Sequence, residues 1–301
     1  MRVLVTGAGG YVGSAVVAAL AVAGHEPVAM SHRAQVPTPT GVEVRAADLH
    51  DPASMAAAVA GVEAVCHLAG LGHARESWDR PLDHFDINVG GTVALLKAMR
   101  AEGIGRLVFA STASIYGSPE RQPMDEELPD APPHPYAASK VAAESAIRWE
   151  ARRGELACAV LRLFNAAGGV DPDSTRIVPQ VLAAAAGKTP HLAVNGDGSA
   201  TRDYLHVQDA ADAFVAALVH SPEPGTARRY NIGAGAGTSI MDVVAAVERI
   251  VGQRVPVVHG PPADEPPVLV CDPSRAWAEL GWKPRRSDLD AIVRDAWTAH
   301  G

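Results

Sequence analysis

Short runs of continuous apolar residues alternate, from the amino end, with longer stretches whose apolar positions recur every three or four residues. RVLVT (2–6) predicts a buried strand, Val12–Ala23 an alanine-rich helix, and PVAM (27–30) a second strand. VEVRAADL (42–49), EAVCHLAG (63–70) and RLVFAST (106–112) repeat the strand pattern, with helices predicted over 52–60 and 82–102 between them. A further strand is predicted over 157–163, after a helix that contains Lys140. Strands alternating with helices predict βαβ units, and therefore an α/β fold with a doubly wound parallel sheet covered on both faces.

Beyond about residue 165 the rhythm loosens. Helices are predicted over 177–187, 207–220, 239–252 and 287–299, separated by the Gly/Pro-rich stretches 195–198, 222–225 and 259–267. We therefore expect residues 1–165 to form the sheet domain and residues 166–301 mainly a smaller lobe, interleaved with it and closing over its carboxyl edge. EPPVLV (265–270) has too many prolines for a central strand and reads as an edge or a loop.

Composition narrows the classes. Of 301 residues, 48% are apolar and 20% charged, which suits a chain with a buried core. A net charge of −8 opposes a nucleic-acid partner, because neutralising phosphates needs a basic face. The 3 cysteines are odd in number and far apart, so we expect buried thiols in a reducing cytoplasm rather than a disulfide framework. No apolar run is long enough for a membrane span, and MRVLVTG reads as a strand entering a glycine loop rather than a signal peptide. The 12 histidines are scattered without paired ligand spacing, so no metal is expected.

Two motifs carry chemistry. In TGAGGYVG (6–13), directly after the first strand, Gly7 permits a tight turn, Gly10 lets the backbone approach a pyrophosphate, and Gly13 lets the helix pack on the strand. Phosphates then meet free N–H groups at the helix start, the hallmark of a Rossmann-type site. The second motif is Tyr136-Ala137-Ala138-Ser139-Lys140, taken with Ser111-Thr112 at a strand end. The Pro-rich APPHP (131–135) places Tyr136 at a helix start, and a spacing of four brings Lys140 to the same helical face. A phenol of pKa about 10 is a poor base at neutral pH, and a neighbouring ammonium lowers it. Thr112 then holds the reacting oxygen. Asp48-Leu49 at a later strand end suits either an adenine contact or a turn before the helix at Pro52.

With these motifs the chain resembles the extended short-chain dehydrogenase/reductases of the NAD-dependent epimerase/dehydratase group, in particular its nucleotide-sugar 4-epimerases. The resemblance is carried by TGAGGYVG (6–13), VCHLAGLGHARES (65–77), NVGGT (88–92), FASTASIYG (109–117), PYAASK (135–140), LRLFNAAG (161–168) and RDYLHVQDAADA (202–213). It implies a seven-stranded sheet, a homodimer through a helix pair, and Thr112, Tyr136 and Lys140 as the catalytic set, with Lys140 also on the nicotinamide ribose. It implies a cofactor beside Gly7, Gly10, Tyr11, Val12, Asp48, Leu49, Leu68, Ala69 and Gly70. Asn88, Asn165, Arg176, Arg202 and Tyr204 are implied near the sugar nucleotide. His206 reads as structural, and Asp209 with Asp212 as helix-start capping and solvation.

Departures from the family pattern sharpen the reading. The 4,6-dehydratases carry an Asp-Glu pair after the active threonine; Ala113 and Ser114 stand here, which removes the acid that elimination needs. The Arg and Asp that 4-epimerases place three apart before the last helices correspond to Pro262 and Glu265, so one phosphate clamp is missing. NAD-using epimerases place a ribose-binding Asp at the end of the second strand, where Ser31, His32 and Arg33 stand. NAD or NADP is expected, with those residues leaning slightly to NADP because no carboxylate repels a 2′-phosphate. The expected activity is nucleotide-sugar 4-epimerisation through a transient 4-keto sugar. The alternatives are an NADPH-dependent reductase of a 4-keto nucleotide sugar and, least favoured, a non-catalytic dinucleotide-binding protein.

Overall fold

The computed structural model describes residues 1–32, 38–263 and 266–300. The first half runs β1 (Arg2–Thr6), α1 (Tyr11–Val22), β2 (Glu26–Ser31), β3 (Glu43–Ala46), α2 (Pro52–Val59), β4 (Ala64–His67), α3 (Pro81–Phe85), α4 (Gly91–Ala101), β5 (Arg106–Thr112), α5 (Pro135–Ala151) and β6 (Ala157–Leu163). The second half runs β7 (Asn165–Ala167), α6 (Ile177–Ala185), β8 (Leu192–Asn195), β9 (Thr201–His206), α7 (Val207–Val219), β10 (Ala227–Ile232), β11 (Gly237–Ser239) and α8 (Ile240–Val251). It closes with β12 (Val257–Gly260), β13 (Val268–Leu269), α9 (Ser274–Leu280) and α10 (Leu289–His300).

Seven strands form the main sheet in the order β10-β6-β5-β4-β1-β2-β3, and every pairing is parallel. Side chains along β1 alternate between two cores, as a period of two requires. Val3 and Val5 pack with Val16 and Leu20 of α1 and Phe214 of α7. Leu4 faces the other way, into Met55 of α2, Leu95 and Met99 of α4, and Ile147 of α5. The sheet is thus doubly wound, and its strands end together at the edge where the glycine loop and the Tyr136 helix begin. The seventh strand, β10, and the helix α7 that packs on α1 both come from beyond residue 165.

The segment predicted as one helix over 82–102 is instead α3 and α4 joined by a π-helical turn, Asp86–Gly90. The widened turn carries Asn88 into the interior, where Thr92 Oγ donates to the Asn88 carbonyl at 2.6 Å. The strands predicted over 42–49 and 63–70 are shorter than their apolar runs, because residues 47–49 and 68–70 leave the ladder for loops at the site.

The smaller lobe is built on β9, which pairs with β11, β13 and β7. Residues 268–269 of the proline-rich stretch are indeed an edge strand. Beneath it α6, α8 and α10 bury Val181, Val243, Val247, Ile292 and Val293. Asp209 does not cap α7, whose cap is the His206 ring, Nδ1 accepting from the Gln208 amide at 3.1 Å. Asp209 is buried instead and accepts from the Arg286 amide at 2.7 Å and Ser287 Oγ at 2.6 Å, tying α7 to the loop before α10.

Asp203 of β9 is the knot of this lobe. Its carboxylate accepts from the amides of Ala234 at 2.7 Å, Gly235 at 2.8 Å and Cys271 at 3.2 Å. Burial pushes its pKa up to about 6, and those amides draw it back towards the charged form. An amide in its place offers one acceptor oxygen and turns N–H against N–H. Asp203→Asn is therefore expected to destabilise the fold by about 1–3 kcal/mol, the cost of a buried unpaired donor. Urea unfolding measures it, and an unchanged midpoint counts against this account.

Candidate active site

The carboxyl edge of the main sheet and the facing surface of the smaller lobe enclose a cleft of about 660 Å³. Gly7, Gly10, Tyr11 and Val12 line one end, Thr112, Tyr136 and Lys140 the middle, and Asn165, Arg176, Arg202 and Tyr204 the far wall. The structure thus brings the glycine loop, the Tyr/Lys pair and the lobe residues into one space.

The glycine end has the shape of a phosphate cradle. A Cβ on Gly7, whose φ is +69°, would lie 2.7 Å from the Ala69 amide nitrogen, and one on Gly13 would lie 2.1 Å from the Gly7 carbonyl oxygen. Only bare backbone allows the two loops to meet there. The N-cap of α1 is Gly10, which supplies no side-chain acceptor to the first-turn N–H groups. Those donors and the helix dipole face the cleft, so the loop fits the pyrophosphate of a dinucleotide. Leu68 and Gly70 also line the cleft. Leu49 is core, against which a Cβ on Gly91 would press at 2.8 Å.

At the end of β2, Ser31 is half-buried and His32 is exposed, its Nδ1 3.8 Å from the Asp48 carboxylate. Asp48 also accepts from the His50 amide at 2.9 Å, while Asp51 caps α2. Arg33 and Glu265 lie outside the described residues. Pro262, in the position of the missing arginine, lies beside Gly196.

Tyr136 occupies the first turn of α5, capped by His134, with Pro135 between them. Burial raises its pKa, while a hydrogen bond with Thr112 and the charge of Arg176 lower it. Thr112 Oγ accepts from the Ser114 amide at 3.1 Å, which fixes that hydroxyl at the end of β5. The Lys140 amine, buried one turn beyond, donates to the Ala110 carbonyl at 2.9 Å and lies 4.8 Å from the centroid of the Phe109 ring. Its charge is therefore directed at β5, and the cation acting on the phenol is Arg176. Burial lowers the Lys140 pKa to about 8, and Glu144 opposes that shift.

Arg176 is itself clamped. Its guanidinium meets Asp171 at 3.2 Å and Asp173 at 3.3 Å, and sits 5.4 Å from the centroid of the Tyr11 ring. The Tyr11 hydroxyl donates to the Gly168 carbonyl, joining the cradle to the smaller lobe. Asn165 is exposed, with its amide donating to the Asp203 carbonyl at 2.9 Å. Asn88, expected beside the sugar, has its amide directed into the protein. Oδ1 accepts from the Leu71 amide at 2.8 Å, and Nδ2 donates to Ser139 Oγ at 2.9 Å and the Leu71 carbonyl at 3.1 Å.

That amide ends a buried relay that sequence reasoning missed. Thr6 Oγ accepts from the Leu68 and Ala69 amides, both at 3.1 Å, and faces His67 Nδ1 at 2.7 Å. His67 Nε2 meets Thr92 Oγ at 3.1 Å, and Thr92 donates onward to the Asn88 carbonyl. Ser139 in turn donates to the Tyr136 carbonyl at 2.8 Å. The directions agree only for a neutral His67 protonated on Nε2. Burial, and the nearby Lys140 charge, lower its pKa to about 3, which keeps it neutral. Its only signal in the sequence is its place in VCHLAG, two residues before the turn.

A glycine-cradled parallel sheet with a Tyr-x3-Lys helix facing a Ser-Thr strand end defines a dinucleotide-dependent enzyme of the short-chain dehydrogenase/reductase class. Residues 3–233 match the model of the NAD dependent epimerase/dehydratase family, and the chain belongs to that family. It is 39% identical to a UDP-glucose 4-epimerase of Streptomyces lividans over 99% of this chain and 96% of the relative. Among solved structures it superposes on the UDP-glucose 4-epimerase of Stenotrophomonas maltophila with bound NAD and formylated UDP-arabinopyranose. That match has a TM-score of 0.93 and 35% identity, over 99% of this chain and 97% of the other. The UDP-glucose 4-epimerase of Brucella ovis in complex with NAD gives a TM-score of 0.92 and 33% identity, over 99% and 97% of the two chains.

Lys140 supplies a stability test. Its folded pKa lies below the ordinary lysine value, so the unfolded chain binds more protons and stability rises with pH between about 8 and 10.5. Lys140→Met removes the buried ammonium. At pH 7 we expect it to unfold about 1–3 kcal/mol later than the parent in urea, with the gap narrowing as pH approaches 10. A variant less stable at pH 7 would contradict the burial cost.

Proposed function

We propose that this chain is a nucleotide-sugar 4-epimerase that uses NAD. The observation that carries this reading is the convergence of Thr112, Tyr136 and Lys140 on one cleft between the glycine cradle and Asn165, Arg176, Arg202 and Tyr204. Full-length similarity to UDP-glucose 4-epimerases supports the substrate class.

In this mechanism Tyr136 accepts the proton of the sugar 4-hydroxyl and later returns it, while Thr112 Oγ holds the same oxygen in line. The chemistry that a bound nicotinamide dinucleotide supplies is acceptance of hydride from the sugar carbon and its return to the other face. Lys140, Gly7, Gly10 and the first turn of α1 would hold that cofactor. Thr112 and Arg176 oppose the rise that burial imposes on the phenol. The site asks only that the ketone turn between the two transfers, which an open cleft of about 660 Å³ permits. Ala113 and Ser114 leave no carboxylic acid beside Thr112 for elimination of water.

NAD is supported by the Brucella and Stenotrophomonas structures, whose bound cofactor it is. The leaning to NADP rests on Ser31, His32 and Arg33, and the Asp48 carboxylate 3.8 Å from His32 weighs against a 2′-phosphate there. Titration of the purified protein with each reduced cofactor, followed by fluorescence, is expected to favour the NAD form by about tenfold or more. Equal or reversed affinities would restore the NADP reading. A cytoplasmic homodimer completes the picture, supported by buried free cysteines and by Trp149, which stands 61% exposed on α5.

The central test is Tyr136→Phe with mass identification of the cofactor that co-purifies. Parent protein should interconvert UDP-glucose and UDP-galactose without added reductant. The variant should lose about a thousandfold or more of turnover while retaining the dinucleotide. An empty protein that oxidises NADPH only when given a ketone substrate would establish the reductase instead.

A further inference from the structure

The ring of Tyr136 lies between two histidines that no motif singled out. His134 stacks on it with centroids 5.8 Å apart and planes 10° apart, and His84 of α3 meets it edge-on at 6.1 Å and 68°. Both geometries fall in the range where flat rings attract. His134 has a second task, because its Nδ1 accepts from the Ala137 amide at 3.1 Å and so caps α5. A nitrogen that accepts carries no proton, so the cap requires the neutral imidazole with its hydrogen on Nε2. Adding a proton sets donor against donor in the turn that carries Tyr136. It also places a cation at the positive end of the helix.

The surroundings favour the neutral ring. Burial lowers the His134 pKa, and a charge on His84 would lower it further. His84 is fully buried with neither ring nitrogen hydrogen-bonded among the described residues, and burial lowers its pKa too. The charged and titratable groups facing His84 are Glu76 and Asp83, which favour its proton, and Arg80 and His73, which oppose it. The charge acting on the Tyr136 phenol is that of Arg176. No carboxylate is among the groups acting on His134.

We propose that His134, as the neutral Nε2–H tautomer, is a positioning residue that holds Tyr136 in line with Thr112, and that its protonation releases the tyrosine and shuts off turnover at acid pH. The inference rests on the epimerase reading for the reaction it gates, and on geometry alone for the tautomer.

Two measurements test it. Long-range nitrogen-proton NMR of the cofactor-loaded protein should show His134 protonated on Nε2 only, with a titration midpoint below about 6.5, the ordinary histidine value. His134→Asn keeps a capping oxygen that does not titrate. Its kcat at pH 8 should stay within about threefold of the parent, and its KM within about twofold, while the acid limb of the profile moves down by about half a pH unit or more. His134→Ala, without a cap, should lose about tenfold in kcat at every pH. Superimposable acid limbs for parent and His134→Asn would overturn the proposal, as would a proton on Nδ1 or an ordinary midpoint. The NMR reading needs no turnover. An inactive protein with the expected tautomer fails the epimerase reading alone, and an active epimerase with the wrong tautomer fails this proposal alone.

Discussion

The site depends on one line of buried hydrogen bonds, from Thr6 through His67, Thr92, Asn88 and Ser139 to the backbone of Tyr136. Each member sits on a different element: β1, β4, α4, the π turn and α5. Every one of these side chains is buried, so an unmet partner anywhere costs as much as a lost hydrogen bond and more. That penalty makes the arrangement all-or-none. The glycine cradle and the helix bearing Tyr136 are therefore not two sites that happen to face each other. They are two ends of one polar network, and a neutral His67 is what lets it run in a single direction.

A second set of ties fixes the register of α5 on the sheet. Lys140 reaches the Ala110 carbonyl, and one turn on Glu144 accepts from Ser111 Oγ at 2.5 Å and from Arg162 of β6 at 2.7 Å. Arg162 is fully buried and also meets Asp130 at 2.7 Å. Buried ion pairs contribute little net stability, because desolvation offsets their attraction. Their value here is positional. Ala110, Ser111 and Thr112 are consecutive on β5, so the first two residues pin the helix while the third acts on Tyr136. Sliding α5 by one residue would break both ties together, and Thr112 would lose Tyr136.

Most of this fold was legible in the sequence because its signals are local. The period-two and period-3.6 patterns found the strands and helices of the main sheet, and glycine spacing placed the cradle. The proline-rich loop before Tyr-x3-Lys located Tyr136 in the first turn of α5. What escaped was decided by tertiary contact. The π turn is invisible to a helical period that continues through it, and so is the inward face it gives Asn88. Asp209 has the sequence context of a cap, yet its partners, Arg286 and Ser287, come from a distant loop. His67, His84 and His134 were three scattered histidines until the fold set the first between two threonines and the others against Tyr136.

The electrostatics of the cleft follow from the same separation of roles. Burial brings the Lys140 pKa down to about 8, so its ammonium is costly yet still the major form at neutral pH. Arg176 is always charged, but two carboxylates hold it and their field offsets much of its own. Burial, the largest effect, raises the Tyr136 pKa, and Thr112 and Arg176 draw it partly back. The clamp on Arg176 thus limits its pull on Tyr136 as well as orienting the guanidinium. It also commits that arginine to the protein.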